Sequence, residues 1–285
     1  MSGSFEVIKP GALTTIQDLG RPGFAHIGIP RSGAADRDSL RLANRLVGND
    51  EGAAGLECTL IGPSLRFDSD AVIALTGAPI ASNVDGEQLP LNTALSISAG
   101  SLLKLGSASG GLRSYIAVAG GLDAEPVMGS RASDLLSGLG PDPLRAGDRV
   151  GFGDPTASAP PIGAAPVAAP QEQPLLHVLP GPRADWFAEG ALELLAATAW
   201  EVSSESNRSG VRLAGGELPR ARSDELFSEG MVEGAIQVPA SGRPIILLAD
   251  HPTTGGYPVI AVLRSDDLGA AAQLRPGQGL RFAVS

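Results

Sequence analysis

A chain of 285 residues with 43% hydrophobic content can bury one large core or two ordinary ones, and two is the expectation at this length. Its formal charge of −10 argues against a phosphate-backbone partner, because nucleic-acid binders gather Lys and Arg on one face. Gly 38, Pro 23 and only 4% aromatics predict many turns, short strands, and cores filled by Val, Ile, Leu and Ala.

Cys58 is the only cysteine, which rules out an internal disulfide and a cysteine metal cage. The first residues carry no long apolar core and no cluster of positive charge, and no apolar run reaches membrane-spanning length. A cytoplasmic protein without a membrane partner is therefore expected.

Phe5 to Lys9 reads as an opening strand, closed by Pro10-Gly11. Thr14 to Asp36 is rich in Gly and Pro and reads as irregular, and a loop of that length inside a compact domain points to function or to a covering partner. Asp36 is placed to cap a helix whose Leu40, Ala43 and Val47 share a face, with Gly48-Asn49 closing it. From Gly55 to Ala119, short apolar runs separated by turn residues predict an antiparallel sheet or barrel. A helical turn is expected after Ser130, and a strand from Asp148 to Phe152.

Asp154 to Pro174 has a proline every few positions and little to bury, as an extended linker does. It divides the chain into a β-rich domain at 1–153, the linker at 154–174, and a second β-rich domain at 175–285. Past it come a strand at Leu175 to Leu179 and a helix carrying Trp186, Phe187, Leu192 and Leu195. Ala235 to Val238 and Ile245 to Ala249 read as buried strands. Asp266 and Asp267 are placed to cap a short helix before the closing strand Leu280 to Val284. The two halves end alike, L-R-x-G followed by an apolar residue and Phe, as two related β domains in tandem would. The fold class is mainly β.

Several chemistries lack their residues. Neither Lys9 nor Lys104 sits in a phosphate loop or in a biotin-attachment hairpin. The nearest approach to a nucleophile elbow, Gly106 to Gly110, has Ala108 at the nucleophile's place. With His26, His177 and His251 as the only histidines, no metal site is expected. What remains is polar residues on loops. Asp18 and Arg21 lie in the first half; Asn207, Arg208 and Gln237 lie in the second, followed by Asp250, His251, Thr253, Thr254, Gly255, Gly256 and Tyr257. Side-chain amides can hold a carbonyl oxygen or an amide hydrogen without ionising, Arg can pair with a carboxylate, and paired glycines let a ligand approach. Such a set suits a small amide-bearing acid. Asp250 fits either a general base or an acceptor of turn N–H groups, His26 a structural histidine, and His251 an exposed site residue.

Thr14 to Phe24 (TTIQDLGRPGF), Ser32 to Asn49, Leu75 to Pro79, Arg113 to Gly121, Val178 to Pro182, and Gly234 to Pro258 (with ADHPTTGGYP at its end) resemble the allophanate hydrolase subunit 2 family. This is also called the biotin-dependent carboxyltransferase or KipA-like family, and it includes the C subunit of bacterial ATP-dependent 5-oxoprolinase. The resemblance implies two tandem β domains, the C-terminal one a cyclophilin-like β-barrel. It implies as partners a subunit 1 (KipI-like) protein and a LamB-type third subunit. The reaction implied is ATP-coupled opening of a small amide or lactam, with ATP handled at the complex and not by a P-loop here. The carboxyltransferase members imply instead biotin on a separate carrier and a urea-like substrate, and the KipA name implies a non-catalytic regulator. The family's S-N-R-x-G-x-R-L segment falls on Ser206 to Leu213, which makes Asn207 the substrate-amide residue, with Arg208 and Gln237 as further donors and Asp250 beside them. Ser209 and Val211 replace larger residues, and His251 stands where the family has Gln.

Overall fold

A computed structural model describes residues 3–155, 164–222 and 224–285. It divides into two compact units, the first built from the described residues of Met1–Arg21, Ser32–Asp134 and Gly138–Pro170, the second from Pro22–Arg31, Leu135–Ser137 and Gln171–Ser285. The middle of the expected linker, residues 156–163, lies outside the described residues. After it Ala165 N donates to Asn92 O (2.8 Å) in the first unit, and farther along Gln278 Nε2 donates to the carbonyls of Gln171 and Glu172 in the second.

The first unit holds a seven-stranded and a five-stranded sheet. Phe5, Val7, Leu65, Phe67 and Leu103 from the first share one core with Leu56, Ile73, Leu75, Ile116 and Val118 from the second. The strand Arg113–Val118 is buried at every position, because its Ile116 and Val118 face that core while the opposite face is covered as well. There Ala117 packs with Ala43, Leu46 and Val47 of the helix Arg37–Leu46 and the residue after it. That two-sided burial is why the run reads as continuously apolar. The helix starts where expected, with Asp36 Oδ1 accepting from Ser39 N at 3.1 Å.

The second unit is a closed barrel of seven strands, in the order Leu175–Pro180, Val259–Leu263, Ala235–Gln237, Ile245–Leu247, Gly210–Ala214, Trp200–Val202 and Gly279–Val284. Trp200, Ile236, Ile246, Ile260 and Phe282 are in its core. Closure removes the exposed edges that short strands otherwise leave. The mainly β class and the barrel agree with the sequence. The similar endings of the two halves pair differently: Arg149–Phe152 lies antiparallel to the opening strand, whereas Gly279–Val284 runs parallel to Leu175–Pro180.

Other local expectations need correction. Leu13–Gln17, inside the stretch read as irregular, is a strand paired with Gly55–Thr59, since its Thr and Ile side chains suit a pleat that is buried nearly throughout. After Ser130 no helix forms, but Gly138 N donates to Asp134 O (2.9 Å) and closes a single turn between the bridges Val127↔Ser130 and Asp134↔Leu139. The helix expected around Trp186 is split into Ala184–Trp186 and Ala191–Ala197 by Gly190 at φ 81. Asp267 does not cap Leu268–Ala272 with its side chain, because its Oδ2 accepts from His177 N (2.6 Å) and bonds the His177 ring at 2.9 Å. His26 is exposed. Among the described residues no helix is long and apolar enough to cross a membrane.

Candidate functional site

The turn entering the barrel strand Gly210–Ala214 is set by Asn207. Its Oδ1 accepts from Ser209 N (2.8 Å) and Gly210 N (3.3 Å), and its own N–H donates to Gly210 O (3.1 Å). Asn207 is exposed, so the turn takes the amide oxygen and leaves the NH₂ group as the part a ligand can meet. Gly210 is required there, since a Cβ would stand 2.9 Å from Ile245 Cγ2 and 3.0 Å from Ile246 O.

Directly beneath, Arg208 and Asp250 form a buried fork. Arg208 Nε donates to Asp250 Oδ2 at 2.8 Å and Nη2 to Oδ1 at 2.9 Å, with side chains 3% and 0% exposed. Backbone bonds hold the same two segments together, from Asp250 N to Arg208 O and Leu248 N to Ser209 O, each 3.1 Å. Asp250 Oδ2 also accepts from Leu135 N at 3.3 Å, within the same unit. A carboxylate whose two oxygens face a guanidinium is taken up by that pairing. The fork holds Asp250 beneath the Asn207 turn with both carboxylate oxygens toward Arg208.

The remaining barrel candidates collect elsewhere. Gln237 is buried, and its Nε2 donates to Tyr257 O (3.2 Å) and contacts Met231 Sδ at 3.0 Å. A Cβ on Gly255 would come within 2.5 Å of that nitrogen, so this loop passes where only glycine fits. Thr254–Gly255 pairs with Glu229–Gly230 as a two-stranded ribbon, and Met231 N donates to Thr253 O (2.9 Å). Gln237 and Arg212 both align with Ile245 in the barrel register. Gln237 is thus two strands across from Arg212, about 10 Å, and is not in register with the Asn207 turn, which lies beyond Gly210. The sequence set separates into two groups, Asn207–Arg208–Asp250 and Gln237 with the Thr253–Tyr257 loop. His251 is buried rather than exposed, with Nδ1 2.8 Å from Pro252 O. Tyr257 is 49% exposed.

Sequence reasoning missed the clamp on that ribbon. Arg183 Nε donates to Glu229 Oε2 at 3.0 Å and its Nη2 pairs with Oε1. The hydrogen bond to Arg183 holds the Glu229 carboxyl below its ordinary value, and the same bond raises Arg183. Neither residue lies in a motif, so nothing local in the sequence marks them.

Asp18 and Arg21 belong to the first unit, not to the barrel. Asp18 accepts from Gly20 N (2.7 Å), Ser130 Oγ (2.7 Å) and Arg131 N (2.6 Å), and Arg21 donates to the carbonyls of Val127 and Ala132. Among the described residues no group of three His, Cys, Asp or Glu side chains is assembled as a metal site requires.

The family described as carboxyltransferase domain, subdomain A and B, matches residues 27–284. The chain belongs to this family. Over 280 residues it is 40% identical to the C subunit of 5-oxoprolinase from Escherichia coli, covering 97% of this chain and 90% of that protein. It is 34% identical to the Haemophilus influenzae protein of the same name, covering 98% and 91%. Among solved structures, the K. lactis urea amidolyase superposes with a TM-score of 0.91 at 32% identity, covering 99% of this chain but 18% of that one. In that protein the family's fold is therefore one part of a much longer polypeptide.

Proposed function

We propose that the chain is a subunit of an ATP-dependent 5-oxoprolinase, which converts 5-oxo-L-proline, ATP and water to L-glutamate, ADP and phosphate. The observation that carries this reading is the 40% identity, over nearly the full length of both chains, to a protein named as the C subunit of 5-oxoprolinase. A subunit 1 (KipI-like) protein and a LamB-type third subunit make up the rest of the enzyme. Lys9 ends the strand Gly3–Lys9 and Lys104 lies within the strand Leu102–Ala108. No step on ATP is assigned to this chain.

The part assigned to it is oxyanion stabilisation. When water attacks the activated lactam carbonyl, charge develops on oxygen, and a donor already fixed in place stabilises it without reorganising. Asn207 is such a donor, because the Ser209 and Gly210 amides fix its oxygen and the Arg208–Asp250 fork fixes the turn below it. Gln237 holds the Tyr257 loop through its bond to Tyr257 O, apart from the Asn207 group.

The test is to co-purify the chain with both partner proteins and measure ATP hydrolysis dependent on 5-oxoproline. Asn207→Ala is expected to lower kcat by about 10²-fold, the usual loss for one oxyanion donor, with the melting temperature kept. A complex without 5-oxoproline-dependent ATP hydrolysis, or an Asn207→Ala complex as fast as wild type, rejects the proposal. A biotin-dependent carboxyltransferase acting on urea is the second reading, favoured by the family description and the urea amidolyase likeness. Activity that avidin abolishes would select it.

A further inference from the structure

The two-residue strands Glu229–Gly230 and Thr254–Gly255 form a sheet of their own, outside the closed barrel. Met231 N adds one rung, to Thr253 O at 2.9 Å. A ribbon this short does not hold its place in water unaided, so its position depends on what ties it to the barrel. Gln237, in the barrel strand Ala235–Gln237, supplies one tie. Its Nε2 donates to Tyr257 O (3.2 Å) past one arm of the ribbon and touches Met231 Sδ, a weak acceptor, at 3.0 Å past the other. Apolar packing supplies a second, with Met231 against Ala235, Leu247 and Val259, and Leu226 partly buried on the barrel core. Phe227, between Leu226 and the ribbon, is 92% exposed and does little to seat it. Another tie is ionic. Arg183, held by its own N–H to Val259 O (3.1 Å), donates through Nε to Glu229 Oε2 (3.0 Å), and its Nη2 pairs with Oε1.

What the ribbon covers is Gln237. Ile236 beside it points into the barrel core, so Gln237 lies on the barrel's outer face. It is nonetheless only 5% exposed, because its NH₂ group is spent on Met231 and Tyr257, and Gly255 passes so close that a Cβ would fall 2.5 Å from the amide nitrogen. The bonds lost on lifting the ribbon are modest ones, to a thioether sulfur and to a carbonyl at 3.2 Å, and water replaces both. The Arg183–Glu229 pair is partly exposed, so salt and water compete for it as they cannot for the buried Arg208–Asp250 fork. Gly234, at φ 83, joins the ribbon's first arm to the strand that carries Gln237, a conformation that suits a hinge. We infer that the ribbon is a strap over Gln237, latched by Arg183 and Glu229, and that lifting it turns the Gln237 amide from a structural tie into a free donor on the barrel's outer face. The strap is independent of the reaction assigned to the chain.

Hydrogen exchange of the full chain, followed by NMR, is the test. The Met231 amide and the Gln237 side-chain NH₂ are expected to report one shared local opening, about 100-fold or more frequent than the opening that exposes the barrel amides of Val202 and Leu213, which donate to Gln278 O and Pro244 O. Glu229→Gln should speed exchange at Met231 and Gln237 about twofold to fivefold. Arg183→Glu, which sets two carboxylates face to face, should speed it more. Neither variant should move Val202 or Leu213. Combining Arg183→Glu with Glu229→Arg should restore the wild-type rates, and raised salt should speed wild type more than Glu229→Gln. Ribbon and barrel amides opening with one frequency would overturn the inference. So would a Glu229→Gln ribbon as slow as wild type, a charge swap that restores nothing, or a Gln237 side chain that stays protected while Met231 opens.

Discussion

In the barrel unit Arg208 and Asp250 meet fork to fork at 2.8 and 2.9 Å, while in the first unit Arg21 and Asp134 stand 3.9 Å apart with side chains just as buried. Both pairs lose the hydration of two charges. Only the first offsets that loss through two short bonds, and the result is a fixed turn under Asn207. The looser pair leaves Arg21 Nη1 unbonded. Burial of charge thus has two outcomes here, anchoring in one unit and an unused donor in the other.

The largest expected effect breaks the anchored pair. Asp250→Ala leaves the Arg208 guanidinium buried without its carboxylate and should cost about 3–5 kcal/mol in chemical denaturation. Asp134→Ala should cost less, about 1–2 kcal/mol, because its contact with Arg21 is long. Double-mutant cycles sharpen the contrast: the Arg208–Asp250 coupling should exceed the Arg21–Asp134 coupling several-fold. Equal couplings would mean that geometry does not separate the two pairs.

Why the sequence conveyed one pair and obscured the other follows from what a linear pattern contains. Strand runs such as Arg113–Val118 and the Asp36 cap were legible, since period, caps and turn residues are local. Asn207, Arg208 and the Asp250 to Tyr257 loop were legible as polar loops. Their grouping was not, because it depends on strand register: Gln237 aligns with Arg212 through Ile245, away from Asn207. Asp18 and Arg21 were legible as polar loop residues, but their bonds to backbone groups of residues 127–132 were not, because those partners lie over a hundred residues away. Arg183–Glu229 spans 46 residues without a motif at either end.

Cys58, the only cysteine, reports on the first unit by itself. It is 1% exposed, and burial pushes its thiol from 9.0 up to about 12, helped by the Glu57 charge and opposed by a hydrogen bond with Thr14. From pH 9 to about pH 12 the native state keeps the proton and the unfolded chain releases it. Stability should therefore be complete below that window and fall as pH rises through it. Cys58→Ala should flatten the alkaline loss, measured by denaturation on either side of the thiol's ordinary value; an unchanged slope would contradict the burial. At neutral pH, thiol labelling of native protein should be slow, and Asp134→Ala should speed it more than Asp250→Ala, since each pair acts in its own unit.

The smallest effect belongs to the partly exposed Arg183–Glu229 clamp, which has the fork geometry of Arg208–Asp250 without its burial. If geometry alone gave strength, the two clamps would be equals. Solvent screening says otherwise, because water competes for both partners and salt weakens what remains. Glu229→Gln should leave the neutral-pH melting temperature nearly unchanged and show itself on the acid side only. The native Glu229 carboxyl is held below its ordinary 4.5 by the Arg183 hydrogen bond. Its contribution is thus present above that value and lost as pH falls through the lowered one. Wild type should lose stability over that acid range more steeply than Glu229→Gln, and added salt should narrow the difference. A Glu229→Gln chain as damaged at neutral pH as Asp250→Ala would mean that the ribbon over Gln237, and not the buried fork, is what holds this face of the barrel.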